Sequence, residues 1–117
     1  MTTQPPEAFQ PVLTVFMLVK SLPEWLAIPG DQRHEALARH VEPVLARYQD
    51  EVRVRFYDVE FYSANVTDVW IWEARSHQAY QRLVEDLRDT PFWDRYFQIV
   101  DILPGVANTY GAKPLAA

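Results

Sequence analysis

Arg53, Arg55 and Tyr57 alternate with Val52, Val54 and Phe56. Further on, Asp68, Trp70 and Trp72 alternate with Val69 and Ile71. Side chains that change face at every residue mark a strand, and here one face of each strand carries groups able to do chemistry. An arginine fork grips a planar anion bidentately, and a carboxylate in an apolar chamber has a raised pKa and serves as a general base. A tyrosine hydroxyl can donate to a developing oxyanion, and indoles make flat walls for a ring-shaped ligand. Pairing Tyr62 with Thr67 around Ser63-Ala64-Asn65-Val66 sets Asp68 opposite Phe61, Trp70 opposite Val59 and Trp72 opposite Tyr57. In that register all six residues share one surface, with Val52, Val54, Phe56, Val69 and Ile71 as core. The expected catalytic set is therefore Asp68 as base, Arg55 as anion holder and Tyr57 as proton donor. Trp70, Trp72, Arg53, Trp25 and Phe16 would bind substrate. The plainer reading pairs the arginines with acids at a polar rim, buries Tyr57 satisfied, and uses the tryptophans as interface anchors.

Asp58 and Glu60 do not fit simple alternation, which turns both toward the helices, where an unpaired carboxylate is costly. Either a bulge near Asp58 rotates the strand and makes both acids rival bases, or this end of the hairpin projects beyond the helices. His34 and His40 lie six apart and do not form an i, i+4 metal pair, and His77 belongs to a helix start. A haem would need a histidine in the chamber or on the helix at its mouth, and none is evident. No His/Asp/Glu cluster has ligand spacing. Gly30, Gly105 and Gly111 are isolated, so there is no phosphate loop, and no serine sits in a nucleophile elbow. Neither metal nor other cofactor is expected.

The elements that must position these residues follow from periodicity and caps. Val12–Lys20 reads as a nearly all-apolar first strand, central and buried on both faces. Pro23–Leu26 is a single helical turn with proline at its favoured first position. Asp31–Tyr48 is helical, with Leu37, Val41, Leu45 and Tyr48 on one stripe and a split near Arg39 caused by Pro43. Glu51–Tyr62 and Thr67–Ala74 form a hairpin. Ser76 caps a helix with the stripe Tyr80, Leu83, Val84 and Leu87. Thr90–Trp93 restarts a short helix, and Phe97–Leu103 is the fourth strand. The run Glu85–Asp89 reads as the solvated face of the second helix. The order β-α-β-β-α-β is the split βαβ, ferredoxin-like α+β pattern, one domain over residues 12–110 with tails at 1–11 and 111–117. Two helices cover one face of a four-stranded sheet. The other face, with Thr14, Phe16, Leu18, Phe97, Ile99 and Asp101, needs a partner, most simply a second copy closing a partly polar chamber.

The chain has 117 residues, 49% of them hydrophobic and 14% aromatic, which excludes disorder. A net charge of −5 argues against phosphate-backbone binding. An RNA-binding sheet of this topology would also display the Gly/Phe-rich signature that is missing here. There is no cysteine, hence no disulfide or thiolate chemistry. The start is not signal-like, the apolar run near Val12–Val19 is too short for a bilayer, and a cytoplasmic protein is expected.

Three stretches resemble the darcynin family: Thr14–Lys20 with Pro23-Glu24-Trp25-Leu26; Val54–Asp58 with Val66–Val69; and Leu83–Asp94, whose Thr-Pro-Phe-Trp-Asp run is the most specific piece. The resemblance covers roughly residues 12–110. It implies a dimeric α+β barrel, and carries no catalytic motif to transfer. The wider superfamily it is similar to includes cofactor-independent monooxygenases, isomerases and cyclases of aromatic or polyketide-like molecules, haem enzymes and binding modules. Two functions follow as expectations. One is a cofactor-free enzyme of secondary metabolism acting on a hydrophobic cyclic molecule. The alternative is a homodimer that binds a small molecule, or is purely structural, without chemistry. Arg, Asp and Tyr on one buried wall favour the enzyme.

Overall fold

The computed structural model describes residues 9–107; most of the two expected tails lies outside the described residues. The elements are β1 (Leu13–Ser21), α1 (Pro23–Leu26), α2 (Gly30–His40), α3 (Glu42–Arg47), β2 (Val52–Asp58), β3 (Asp68–Ala74), α4 (His77–Arg88) and β4 (Phe97–Gly105). All strand pairs are antiparallel in the order β2-β3-β1-β4, the ferredoxin-like arrangement expected from the element order.

Local signals account for most boundaries. Pro23 opens α1. Pro43 falls in the first turn of α3, so the long helical pattern breaks at Val41 and resumes. The Ser76 hydroxyl accepts from the Ala79 N–H at 3.0 Å and starts α4, which buries Ala79, Leu83 and Leu87. Thr90–Trp93 is not helical: the Thr90 hydroxyl donates to the Leu87 carbonyl at 2.7 Å and accepts from the Phe92 N–H at 3.2 Å. That hydroxyl ends α4 in a series of turns that close at Asp94, whose φ is 69°.

β1 is central but buried on one face only. Leu13, Val15, Met17 and Val19 face the helices, whereas Phe16 and Lys20 are exposed. The register between β1 and β4 slips between Leu18 and Val19, leaving Val100 as the extra residue. The bulge puts Phe97 and Ile99 on the helix side, against expectation, and Asp101 and Leu103 on the open side. The open face therefore carries Thr14, Phe16, Leu18, Arg53, Arg55, Tyr57, Val69, Ile71, Glu73, Asp101 and Leu103.

α2 differs from the other long helix. None of its 11 residues is buried, although Ala36 and Leu37 turn toward the core. It stands off the sheet as a roof.

Candidate functional site

The hairpin register decides which residues meet. Asp58 pairs with Asp68, Phe56 with Trp70 and Val54 with Trp72. This register is three residues away from the one that pairs Tyr62 with Thr67. An odd slip sends every side chain of one strand to the other face. The expected surface of six residues is therefore divided. Arg53, Arg55 and Tyr57 lie on the open face with Phe16, while Asp68, Trp70 and Trp72 lie beneath the molecule's own helices with Trp25.

The cause lies in the connection. β2 stops at Asp58 because the next residues turn: the Val59 carbonyl accepts from the N–H groups of Tyr62 and Ser63, both at 3.0 Å. The Ser63 hydroxyl then accepts from Asn65 N–H at 3.3 Å and Val66 N–H at 3.2 Å, and Val66 is buried while Phe61 and Tyr62 are exposed. The link is nine residues, 59–67, rather than four. There is no bulge at Asp58. It keeps the helix-facing direction that alternation assigns, and it is exposed because it sits at the strand end.

Between sheet and roof lies a cavity of about 430 Å³. β3 forms its floor with Asp68, Trp70 and Trp72. Phe56 and Asp58 stand at the side of the edge strand, and Arg33, His34, Leu37 and Val41 line the roof. Trp25, Phe92 and Phe97 close the far end. Trp25 meets Phe92 edge to face at 5.1 Å, and Phe97 meets Trp70 likewise at 5.2 Å, so the wall is one connected set of rings. Arg33 sets the roof's start: its Nε and Nη2 donate to the carbonyls of Ile28 and Leu26 at 2.8 and 2.9 Å, and its guanidinium lies over the Trp25 ring.

Asp68 is the half-buried carboxylate of this wall. The Thr67 hydroxyl donates to its Oδ1 at 2.6 Å and accepts from the Ser21 N–H at 2.8 Å, which locks the start of β3 to the end of β1. No cation lies within ion-pair distance of Asp68 among the described residues. Burial first, and then the neighbouring Asp58 and Glu60 carboxylates, raise its pKa to about 6 against the downward pull of the Thr67 hydrogen bond. Such a group holds and releases a proton near neutral pH.

The open face is different in kind. Arg53 is paired with Glu73 at 3.0 Å, and Arg55 reaches the Tyr57 hydroxyl at 3.4 Å. Phe16, Tyr57 and Leu103 are each 40–47% exposed.

His34 lies outside the site set expected from sequence, although its place three before Leu37 on the same stripe is a legible signal. It is the one histidine lining the cavity. Among the described residues no three metal-ligating side chains cluster. A haem needs only one axial imidazole, but here that imidazole is on an exposed rim. Across the cavity from it stand the Asp58 and Asp68 carboxylates, and the Arg33 guanidinium shares the roof with it. No helix among the described residues is long and apolar enough to cross a membrane.

A family described as "Darcynin, domain of unknown function" matches residues 1–116. A darcynin homolog of Granulibacter bethesdensis is 57% identical over 103 residues, covering 88% of this chain and 83% of that one. One from Streptomyces avermitilis is 53% identical over 116 residues and 96% of each chain. Among solved structures, chlorite dismutase from Candidatus Nitrospira defluvii in complex with imidazole aligns with a TM-score of 0.70 at 18% identity, over 92% of this chain and 43% of that one. A mutant of the same enzyme aligns with a TM-score of 0.71 at 17% identity, over 87% and 42%. The chain thus spans less than half the length of these structures, and the likeness is one of fold.

Proposed function

The chain belongs to the darcynin family, and we propose that it is a cofactor-independent enzyme that moves a proton on a hydrophobic cyclic molecule held between sheet and roof. Asp68 is the acid/base group, and Trp25, Trp70 and Trp72 bind the rings. The observation that carries this reading is Asp68 itself: a carboxylate with no cation beside it, kept partly protonated near neutrality by an aromatic wall. A purely structural core has no use for such a group. A dry, closed void of about 430 Å³ would cost roughly 10 kcal/mol at ~24 cal/mol per Å³, as much as a whole domain's stability. The space is instead open beside Phe56 and Asp58, as a ligand site must be. Isomerisation, cyclisation, or a monooxygenation in which the carbanion formed by proton abstraction is oxidised by dioxygen with release of water, all use one such base.

The second reading concerns the open face, where Phe16, Leu18, Val69, Ile71 and Leu103 form an apolar strip flanked by Arg53, Arg55 and Tyr57. A homodimer closing sheet on sheet covers it. In this arrangement Arg53, Arg55, Tyr57 and Phe16 serve the interface or an entrance rather than the reacting atoms.

The test is a thermal-shift screen of bicyclic and tricyclic aromatic ketones and phenols, followed by turnover assays on the hits. Asp68→Asn is expected to keep the ligand-induced shift and lose at least a hundredfold in turnover. A screen without a single stabilising compound, or full turnover by the variant, would sink the proposal.

A further inference from the structure

Trp72 is 1% exposed and lines the cavity, yet its Nε1–H has no acceptor; among the described residues it is the single buried side-chain polar atom without a partner. Buried indole N–H groups are normally satisfied. The rings nearest Trp72 stand nearly perpendicular to it, Trp70 at 6.4 Å and Phe56 at 6.5 Å, and supply no oxygen or nitrogen acceptor.

On β3, Asp68, Trp70 and Trp72 occupy the same face. Two residues along a strand advance about 7 Å, and four about 13 Å. The floor of the cavity therefore runs from a carboxylate at one end, past a flat indole, to Trp72, whose own buried N–H is unused. We infer that the ligand is an elongated, ring-bearing molecule with a carbonyl or comparable acceptor oxygen at the end away from Asp68, received by Trp72 Nε1–H. This inference rests on the proposed occupancy of the cavity and deepens it by naming the ligand's polar group and its place. Trp72 acts as a specificity residue. A hydrocarbon of equal shape would leave the donor unpaired, whereas a ketone would satisfy it.

The experiment uses 1-tetralone and tetralin, two bicycles that differ by the carbonyl, with affinities from calorimetry and the indole N–H resonances followed by NMR. The unmodified protein is expected to bind the ketone about tenfold more tightly than the hydrocarbon. One indole N–H resonance, assigned to Trp72 by its loss in Trp72→Phe, should move downfield with tetralone alone. In Trp72→Phe, which keeps the ring, both probes are expected to bind equally. If that variant does not fold, assignment through the Trp25, Trp70 and Trp93 substitutions leaves the resonance test standing. Equal binding of both probes by the unmodified protein, or a ketone preference that survives in Trp72→Phe, overturns the donor assignment and leaves the cavity reading intact. Failure of both probes to bind, or binding whose affinity is unchanged when Leu37→Trp narrows the space, overturns both.

Discussion

Asp58 and Asp68 are direct cross-strand partners on the helix side of the β2–β3 ladder. Neither has a cation within ion-pair distance among the described residues. Like charges set opposite each other in a sheet are destabilising, and a proton on Asp68 relieves the repulsion. Asp68, the more enclosed of the two, keeps it.

The pH dependence of stability follows from that proton. The pKa of Asp68 is raised in the folded state, from 3.8 to about 6. The folded chain therefore binds more protons than the unfolded chain between those values, and stability falls as pH rises through this window. The full shift would correspond to about 3 kcal/mol. Because Asp68 is only half-buried, solvent screening reduces this to on the order of 1 kcal/mol. Asp68→Asn is expected to be more stable than the parent at pH 7 by about that amount, and to flatten the profile between pH 4 and 6. Urea unfolding at a series of pH values measures it.

Asp58 acts on Asp68 through charge and hydrogen bonding, but burial is the larger cause. Asp58→Asn should accordingly lower the Asp68 pKa without returning it to the ordinary carboxylate range. Carboxyl carbon shifts of Asp68, titrated by NMR in both proteins, decide this. An unchanged value would mean that the two groups are independent.

For the open face, Leu103→Glu and Phe16→Glu place charge in the centre of the apolar strip. Each is expected to raise a dimer dissociation constant by at least a hundredfold while leaving the melting curve of the subunit nearly unchanged. Sedimentation across a concentration range reads the first and circular dichroism the second. A parent chain that is monomeric at high concentration would rule out the dimer without touching the cavity.

Helix α3 is tied to α4 by a small cluster. The Tyr48 hydroxyl donates to Asp86 Oδ2 at 2.7 Å, and Arg47 Nη1 reaches the same oxygen at 2.5 Å. Hydrogen bonds from Tyr48 and then Arg47 hold the Asp86 carboxyl below its usual range. With the folded pKa depressed, the contribution is present above the unfolded pKa and lost as pH falls through the folded one. Tyr48→Phe is expected to lower stability near neutrality, and to lower it less in acid, by the same urea measurement.

The fold is legible because its signals are local: Pro23 at a helix start, Ser76 as a cap, Pro43 breaking a helix, and alternation in β2 and β3. The site was legible only in part. The residue types of Trp25, Trp70, Trp72 and Asp68 mark a set with chemical potential, but the register expected from sequence puts their wall on the wrong side of the sheet. Residues 59–62 have the composition of a strand, and only burial of Val66 together with the Ser63 turn makes them a loop. A register error of an odd number of residues leaves each strand correct and inverts one against the other. Asp58 was the clue: as a carboxylate at a helix-facing position, it pointed to a wet space on that side. The β4 bulge, which moves Phe97 into the cavity wall, has no mark in sequence of its own.

Since α2 fully buries no side chain, its amides are protected by little more than their own ladder. Opening it should take far less free energy than melting the sheet, which gives a bulky guest a way in while the strands stay paired. Deuterium uptake over residues 30–40 would then serve as a gauge of occupancy, slowing whenever something sits underneath.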